Sequence, residues 1–254
     1  MDLTLPVPAP QYKNPTQKAR VSTEPWAVAN LYCPNCSSPR LDPLKPNTPA
    51  SDFVCPLCEE RFQLKSGRSP FGARIADAAY SKMVEAIRKD QTPNIFALHY
   101  DMKKWTVSNL TLIPRFAYSL KDIFKRPPLS PAAERHDWVG CDILLGAIPR
   151  SARIPVVSDG LPASSVAVRR EFQRLKPLHR VKSKARGWTL DVLLIVESLQ
   201  KREFHLDEVY AHEAELRALH VLNRHVKPKI RQQLQQLRDL GFLTFLAPGH
   251  YRLS

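Results

Sequence analysis

Apolar positions follow a helical period in some stretches of the chain and cluster in short runs in others. Residues 72–90 place Ala76, Ala79, Tyr80, Met83 and Ile87 at i, i+3, i+4, i+7 and i+11. That is one apolar face and predicts a helix. Residues 94–99 (NIFALH) and 110–113 (LTLI) are short apolar runs bounded by turn residues and predict strands, and residues 153–157 (RIPVV) predict another. Near the start, TQKARVSTEPWAVAN predicts a helix within residues 12–29, broken at Pro25. A sheet with helices against it is the economical arrangement, so the first part of the chain reads as mixed α/β.

The C-terminal part has a different pattern. Residues 188–199 (WTLDVLLIVESL) offer Leu190, Leu193, Leu194 and Ile195 for burial, and predict a helix. Residues 204–220 predict a second. Residues 225–240 predict a third, with Ile230, Leu234 and Leu237 on one face and Gly241 as its left-handed stop. Two short strands, residues 242–246 and 250–253, flank Pro248-Gly249 as a hairpin. Three helices and a hairpin make a winged helix, a variant of the helix-turn-helix. The third helix carries Arg224, Lys227, Lys229, Arg231 and Arg238 facing no acid before Asp239, with Gln232, Gln233, Gln235 and Gln236 between them. Arginine pairs with guanine edges and glutamine with adenine edges, so this helix suits the major groove. A polar solvated helix in a protein-binding winged helix is the alternative.

Composition narrows the class. The 254 residues are 43% hydrophobic and 24% charged, an ordinary globular balance. No run of 18 apolar residues is present, and the N-terminus lacks a basic segment followed by an apolar one, so neither a membrane span nor a secretory signal is expected. Five cysteines are too few for a disulfide scaffold, and the chain reads as cytoplasmic. The net charge of +14 points to a polyanionic partner. Half of it, +7, lies in residues 169–186 (RREFQRLKPLHRVKSKAR), which reads as a linker or an arm along phosphates. The domain boundary is placed there, giving residues 1–182 and 183–254. Prolines cluster at 6–15, 39–49 and 127–131. The eight histidines read as surface or core residues.

Two features carry chemistry. Cys33-Pro-Asn-Cys36 and Cys55-Pro-Leu-Cys58 are two thiolate knuckles whose spacing suits a tetrahedral Zn²⁺. Four thiolates leave no open position, so such a zinc is structural; an iron–sulfur cluster or a redox dithiol is the alternative. Cys141 is left over and reads as a small buried residue. The second knuckle lies within SDFVCPLCEERFQLKS. If it is the turn of a hairpin, Asp52 and Gln63 come side by side, and alternation puts Gln63 and Lys65 on one face with Leu64 on the other. An acid, a second oxygen and a lysine on paired strands form a metal-dependent nuclease arrangement. The oxygens hold Mg²⁺, which activates water and phosphate, and the ammonium offsets developing charge. The same spacing also occurs on bland surface hairpins.

The chain resembles the DpnI-type restriction endonucleases, which cut GATC only when its adenine is methylated. The likeness runs in order through TQKARVSTEPW (16–26), YCPNC (32–36), SDFVCPLCEERFQLKSG (51–67), RPPLSPAAERHDWVGCDI (126–143), ARGWTLDVL (185–193), KIRQQLQQLRDLGFL (229–243) and GHYRL (249–253). It implies an α/β fold of the PD-(D/E)xK type with an inserted zinc site, followed by a winged helix, both domains reading methylated DNA. It places the first metal ligand on Asp52, the second on Gln63 and the lysine on Lys65, with the Leu64 backbone carbonyl as a further Mg²⁺ ligand. It puts Trp138 near the methyl groups. The DNA contacts expected on the third helix are Arg224, Lys227, Lys229, Arg231, Gln232 and Gln235.

One departure changes the picture. The family pattern has glutamate where this chain has Gln63, so an oxygen remains but a charge is gone. A close charge pair is worth roughly 4 kcal/mol at an effective dielectric near 20. Cation affinity should be weaker unless Glu24, Glu59 or Glu60 compensates, and activity should need elevated Mg²⁺ or Mn²⁺. The expected function is therefore a monomeric, Mg²⁺-dependent type II deoxyribonuclease acting on double-stranded, adenine-methylated GATC. The alternative is a methyl-DNA-binding protein silenced by Gln63. A zinc-ribbon transcription regulator would explain the knuckles but leave Asp52 and Lys65 without a role.

Overall fold

The protein is described from a computed structural model that covers residues 1–254 apart from Pro46, Asn47, Pro49, Ala133, Arg135 and Lys182, with backbone alone at 183 and 184. Lys182, at the expected domain boundary, and Pro46 and Pro49 of the second proline cluster therefore lie outside the described residues. The first helix, α1 (Pro15–Asn30), is capped by the Asn14 side chain, which accepts from the Thr16 N–H at 2.9 Å. It runs through Pro25 rather than breaking there. Proline removes one helical donor, but Ser22, Thr23, Trp26 and Ala27 are buried around it, and packing keeps the helix whole.

After α1 come β1 (Asp42–Pro43), β2 (Phe53–Val54) and β3 (Arg61–Gly67). The stretch read as one helix over 72–90 is half strand. It divides into β4 (Arg74–Ala79) and α2 (Tyr80–Arg88). Residues 74–77 alternate exposed and buried, with Ile75 and Asp77 inward, because they pair with a later strand. Only Tyr80, Met83 and Ile87 keep the helical face. The expected strands follow as β5 (Asn94–Asp101) and β6 (Thr106–Ile113), then β7 (Ile123–Lys125), β8 (Gly140–Leu144), β9 (Ile154–Ser158) and β10 (Leu161–Pro162). One sheet has the order β1-β2-β3-β5-β6-β9-β10 and a second the order β4-β8-β7. Only β3 and β5 pair in parallel within these two sheets.

The basic segment is not a free arm. It forms α3 (Ser165–Leu175), a 3-10 turn over Lys176–Arg180, and the start of α4 (Ser183–Ser198). Arg169 donates to the carbonyls of Cys33 and Ser38 at 3.0 and 2.9 Å, and Gln173 to that of Asn35 at 2.7 Å. Arg174 pairs with Glu171, and Arg186 with Asp90 at 3.3 Å. These cations are used to bind protein, not left to solvent. The stretch read as one helix over 204–220 is β11 (Glu203–His205), α5 (Leu206–Tyr210) and α6 (Glu213–Leu219). Its first residues are drawn into strand pairing. Then α7 (Val226–Asp239), β12 (Leu243–Ala247) and β13 (His250–Leu253) complete a winged helix whose sheet order is β11-β13-β12. Gly241 takes φ 81° after α7, as its position required.

Helix α4 ties the winged helix to the rest. Glu197 accepts from the backbone N–H groups of Arg150 and Ser151 at 2.6 and 3.0 Å. Asp191, almost fully buried, pairs with Lys121 and, at 2.7 Å, with His220, whose ring stacks on Trp188 at 3.8 Å between centroids. Lys121 also meets Asp122 at 3.0 Å, and the two carboxylates raise its pKa despite burial. No helix among the described residues is long and apolar enough to cross a membrane. Removing one member of a buried ionic cluster leaves the others unpaired, so Asp191→Ala should cost about 3–5 kcal/mol. Thermal unfolding should show a midpoint lower by roughly 10 °C.

Candidate functional site

The four cysteines converge. Their sulfurs all lie within 4.8 Å of one another. Cys33 and Cys58 are 3.6 Å apart and Cys36 and Cys55 3.4 Å, far too long for disulfides. A tetrahedron of sulfurs about 2.3 Å from zinc has edges of roughly 3.8 Å, so the donor set fits this metal. The Asn35 amide and the Ser38 N–H point at the sulfurs of Cys58 and Cys36 at 3.4 Å each. Burial raises the pKa values of the Cys33 and Cys58 thiols. Burial opposes ionisation of Cys55 as well, but the N–H groups of Cys58 and Leu57 outweigh it and hold this thiol down to about 7. Cys141 stands apart, buried on the strand paired with β4, its thiol pushed up to about 12 by burial and by nearby Asp77.

The knuckle turns β2 back into β3. The Cys55 N–H bonds to the Glu60 carbonyl at 2.9 Å, and Glu59 takes φ 59° to close the reversal. The pairing continues past the short β2, where the Asp52 N–H reaches the Phe62 carbonyl at 2.8 Å. The Asp52 carboxylate accepts from the Leu64 N–H at 2.8 Å, so it is pinned to the middle of β3. Burial raises its pKa; the Leu64 N–H, Lys65 and Arg20 act against that, and the Asp77 charge adds to it.

Gln63 and Lys65 do share one face, as alternation required. What they meet there was not foreseen: Asp77 of β4. Lys65 forms an ion pair with Asp77, whose side chain is fully buried. With its amide N–H toward Asp77, Gln63 donates to Oδ1 at 3.1 Å and accepts from Lys65 Nζ at 3.2 Å. The other oxygen, Oδ2, is buried with no hydrogen-bond partner. Asp52 itself lines a groove along α1 with Arg20, Thr23, Glu24, Leu64, Ser66 and Arg68. Of the three acids considered as compensators, Glu24 borders this groove, 2.8 Å from Arg20. Glu59 and Glu60 line a different one, where Glu60 meets Asn94 and Arg115. Reading residues 72–90 as a helix hid Asp77; the alternation of Arg74, Ile75, Ala76 and Asp77 was the signal.

Trp138 is half-buried just before β8, whose Cys141 pairs with Asp77 across to β4. A Cβ on Gly140 would stand 2.5 Å from the Trp138 ring, so only glycine lets the indole fold back there. Arg224, two residues before α7, and Lys227, Arg231, Gln232 and Gln235 on it are exposed. Lys229 is half-buried and bonds Gln232 at 2.7 Å. Lys227 and Arg231 lie over the Tyr210 ring at 5.2 and 5.8 Å, and Lys227 stands 3.8 Å from Glu213, so this cation does have an acid. Gln233 is buried and accepts from Thr189 at 2.7 Å, and Gln236 leans on the same hydroxyl. Those two glutamines pack α7 on α4 and leave Gln232 and Gln235 to solvent.

Fold and site together define a mixed α/β domain with a thiolate metal knuckle, followed by a DNA-binding helix-turn-helix domain. A family model described as the Dam-replacing family matches residues 2–181, and one described as the Dam-replacing HTH domain matches residues 184–253. The chain belongs to the DpnI-type Dam-replacing family. If the knuckle holds zinc, metal analysis of the purified protein should give one zinc per chain. Cys55→Ser should lose that metal and lower the melting temperature, because β2 and α3 both lean on the knuckle.

Proposed function

We propose that the protein is a methylation-dependent type II restriction endonuclease that hydrolyses both strands of adenine-methylated GATC. The observation that carries this is the β2–β3 hairpin. It fixes Asp52 against the backbone of Leu64 and turns Gln63 and Lys65 together to one face. Family membership supports the same reading.

Asp52, the Gln63 amide oxygen and the Leu64 carbonyl are the groups that would hold Mg²⁺ or Mn²⁺. Such an ion, when bound, polarises the scissile phosphate and lowers the pKa of a bound water. The chain's own residues do the rest. The Leu64 N–H keeps Asp52 oriented. Lys65 offers an ammonium to the charge that develops at phosphorus and can orient the water. Arg20 and Arg68, at the rim of the Asp52 groove, suit the flanking phosphates. Through Lys227, Lys229, Arg231, Gln232 and Gln235, with Arg224 just ahead of it, α7 enters the major groove.

Trp138 provides an apolar wall for the adenine methyl. One methyl is worth only about 0.8 kcal/mol of burial, so discrimination needs both strands, a tight pocket, or two reading domains in one chain.

Digestion of methylated and unmethylated plasmid with Mg²⁺ or Mn²⁺ tests the whole reading. Cleavage is expected for the methylated plasmid alone, and Asp52→Ala should remove it by about a thousandfold or more. Methyl-specific gel shift without cleavage under any condition would favour the binding-protein alternative that Gln63 raises. Trp138→Ala should cleave methylated DNA with reduced preference over unmethylated DNA. Unchanged preference in that variant would remove Trp138 from the reader role.

A further inference from the structure

We propose that Asp77, reaching in from the neighbouring sheet, supplies the second carboxylate of the cation site in which Gln63 contributes only a neutral oxygen. This rests on the cation-dependent reading above and names a ligand that the β2–β3 hairpin does not contain. Three observations converge on it. The Asp77 side chain is fully buried, yet one of its oxygens has no hydrogen-bond partner. A buried carboxylate oxygen in that state calls for a cation or a proton. The position the Gln63 amide presents to Asp77 Oδ1 is 3.1 Å away. A half-turn of the amide about its last torsion fills that position with oxygen instead of nitrogen. Two neighbouring oxygens on an octahedral Mg²⁺ at about 2.0–2.1 Å stand roughly 2.8–3.0 Å apart, close to the spacing already built.

The third observation is charge. Lys65 pairs with Asp77, and the charges of Lys65, Arg20 and Asp77 all bear on Asp52. With Glu24 bound to Arg20, three carboxylates meet two cations there, and the net negative charge suits a divalent ion. The acid missing at position 63 is thereby replaced from a strand that pairs with β8 rather than with β3.

The test measures Mn²⁺ binding to the full, zinc-loaded chain by calorimetry and by electron paramagnetic resonance, without DNA. Mn²⁺ prefers oxygen donors and should leave the thiolates alone. Asp77→Asn should weaken Mn²⁺ binding at least about tenfold, and adding Gln63→Glu to it should restore affinity, since the carboxylate returns on the adjacent strand. If Asp77→Asn binds Mn²⁺ like the wild type while Asp52→Asn does not, the proposal fails and the nuclease reading stands. If neither variant affects binding, both fail. If Asp77→Asn melts like the wild type, binds weakly and is not rescued by Gln63→Glu, Asp77 acts only through Lys65, which also overturns the proposal. Should Asp77→Asn not fold, Mn²⁺-soaked crystals of the wild type decide: manganese bonded to Asp77 is expected, and manganese bonded to Asp52 without Asp77 overturns the proposal.

Discussion

The reversal of the chain at Cys55–Cys58 is the constraint on which the rest of the site depends. Strand β2 has two residues, and so has β1 beyond it. Pairing that short cannot hold a sheet edge in water. Four sulfurs gathered from two distant knuckles converge there, spaced for one metal ion to bridge them, immediately beside Asp52. The carboxylate is therefore positioned by a metal-suited cluster on one side and by a β3 backbone N–H on the other. Arg169 and Gln173 of α3 clamp the first knuckle from outside, so part of the charge of that segment serves the scaffold.

Buried charge is the second theme. Lys65 and Asp77 form one enclosed pair under the sheet, and Lys121, Asp122, Asp191 and His220 form another where α4 meets the first domain. Such clusters contribute little net stability compared with apolar packing, but they tolerate only one arrangement of their partners. The second cluster fixes how α4, and with it α7, stands against the first domain.

Much of this was legible in the sequence. The spacing of the cysteines, the hairpin at the second knuckle, the alternation that joins Gln63 to Lys65, and the winged helix whose last helix stops at Gly241 follow from local rules. What was not legible depended on distant pairing. Ala76 and Ala79 fit a helical face as well as a strand, and only β8 decides for the strand. That decision turns Asp77 inward, beside Lys65. Residues 204 and 205 look helical until β13 pairs with them. Likewise Gln233 resembles its exposed neighbours in sequence and differs only because Thr189 lies beneath it. A count of cations could not reveal that Arg169 and Arg186 bind carbonyls and Asp90 instead of phosphate.

The claim that the knuckle builds a cation site beside it is tested most directly by diffraction from crystals soaked in Mn²⁺, with anomalous data at the manganese and zinc edges. The account predicts a zinc peak among the four sulfurs and a manganese peak within bonding reach of Asp52 and Gln63. A zinc peak accompanied by no manganese at Asp52 would contradict it.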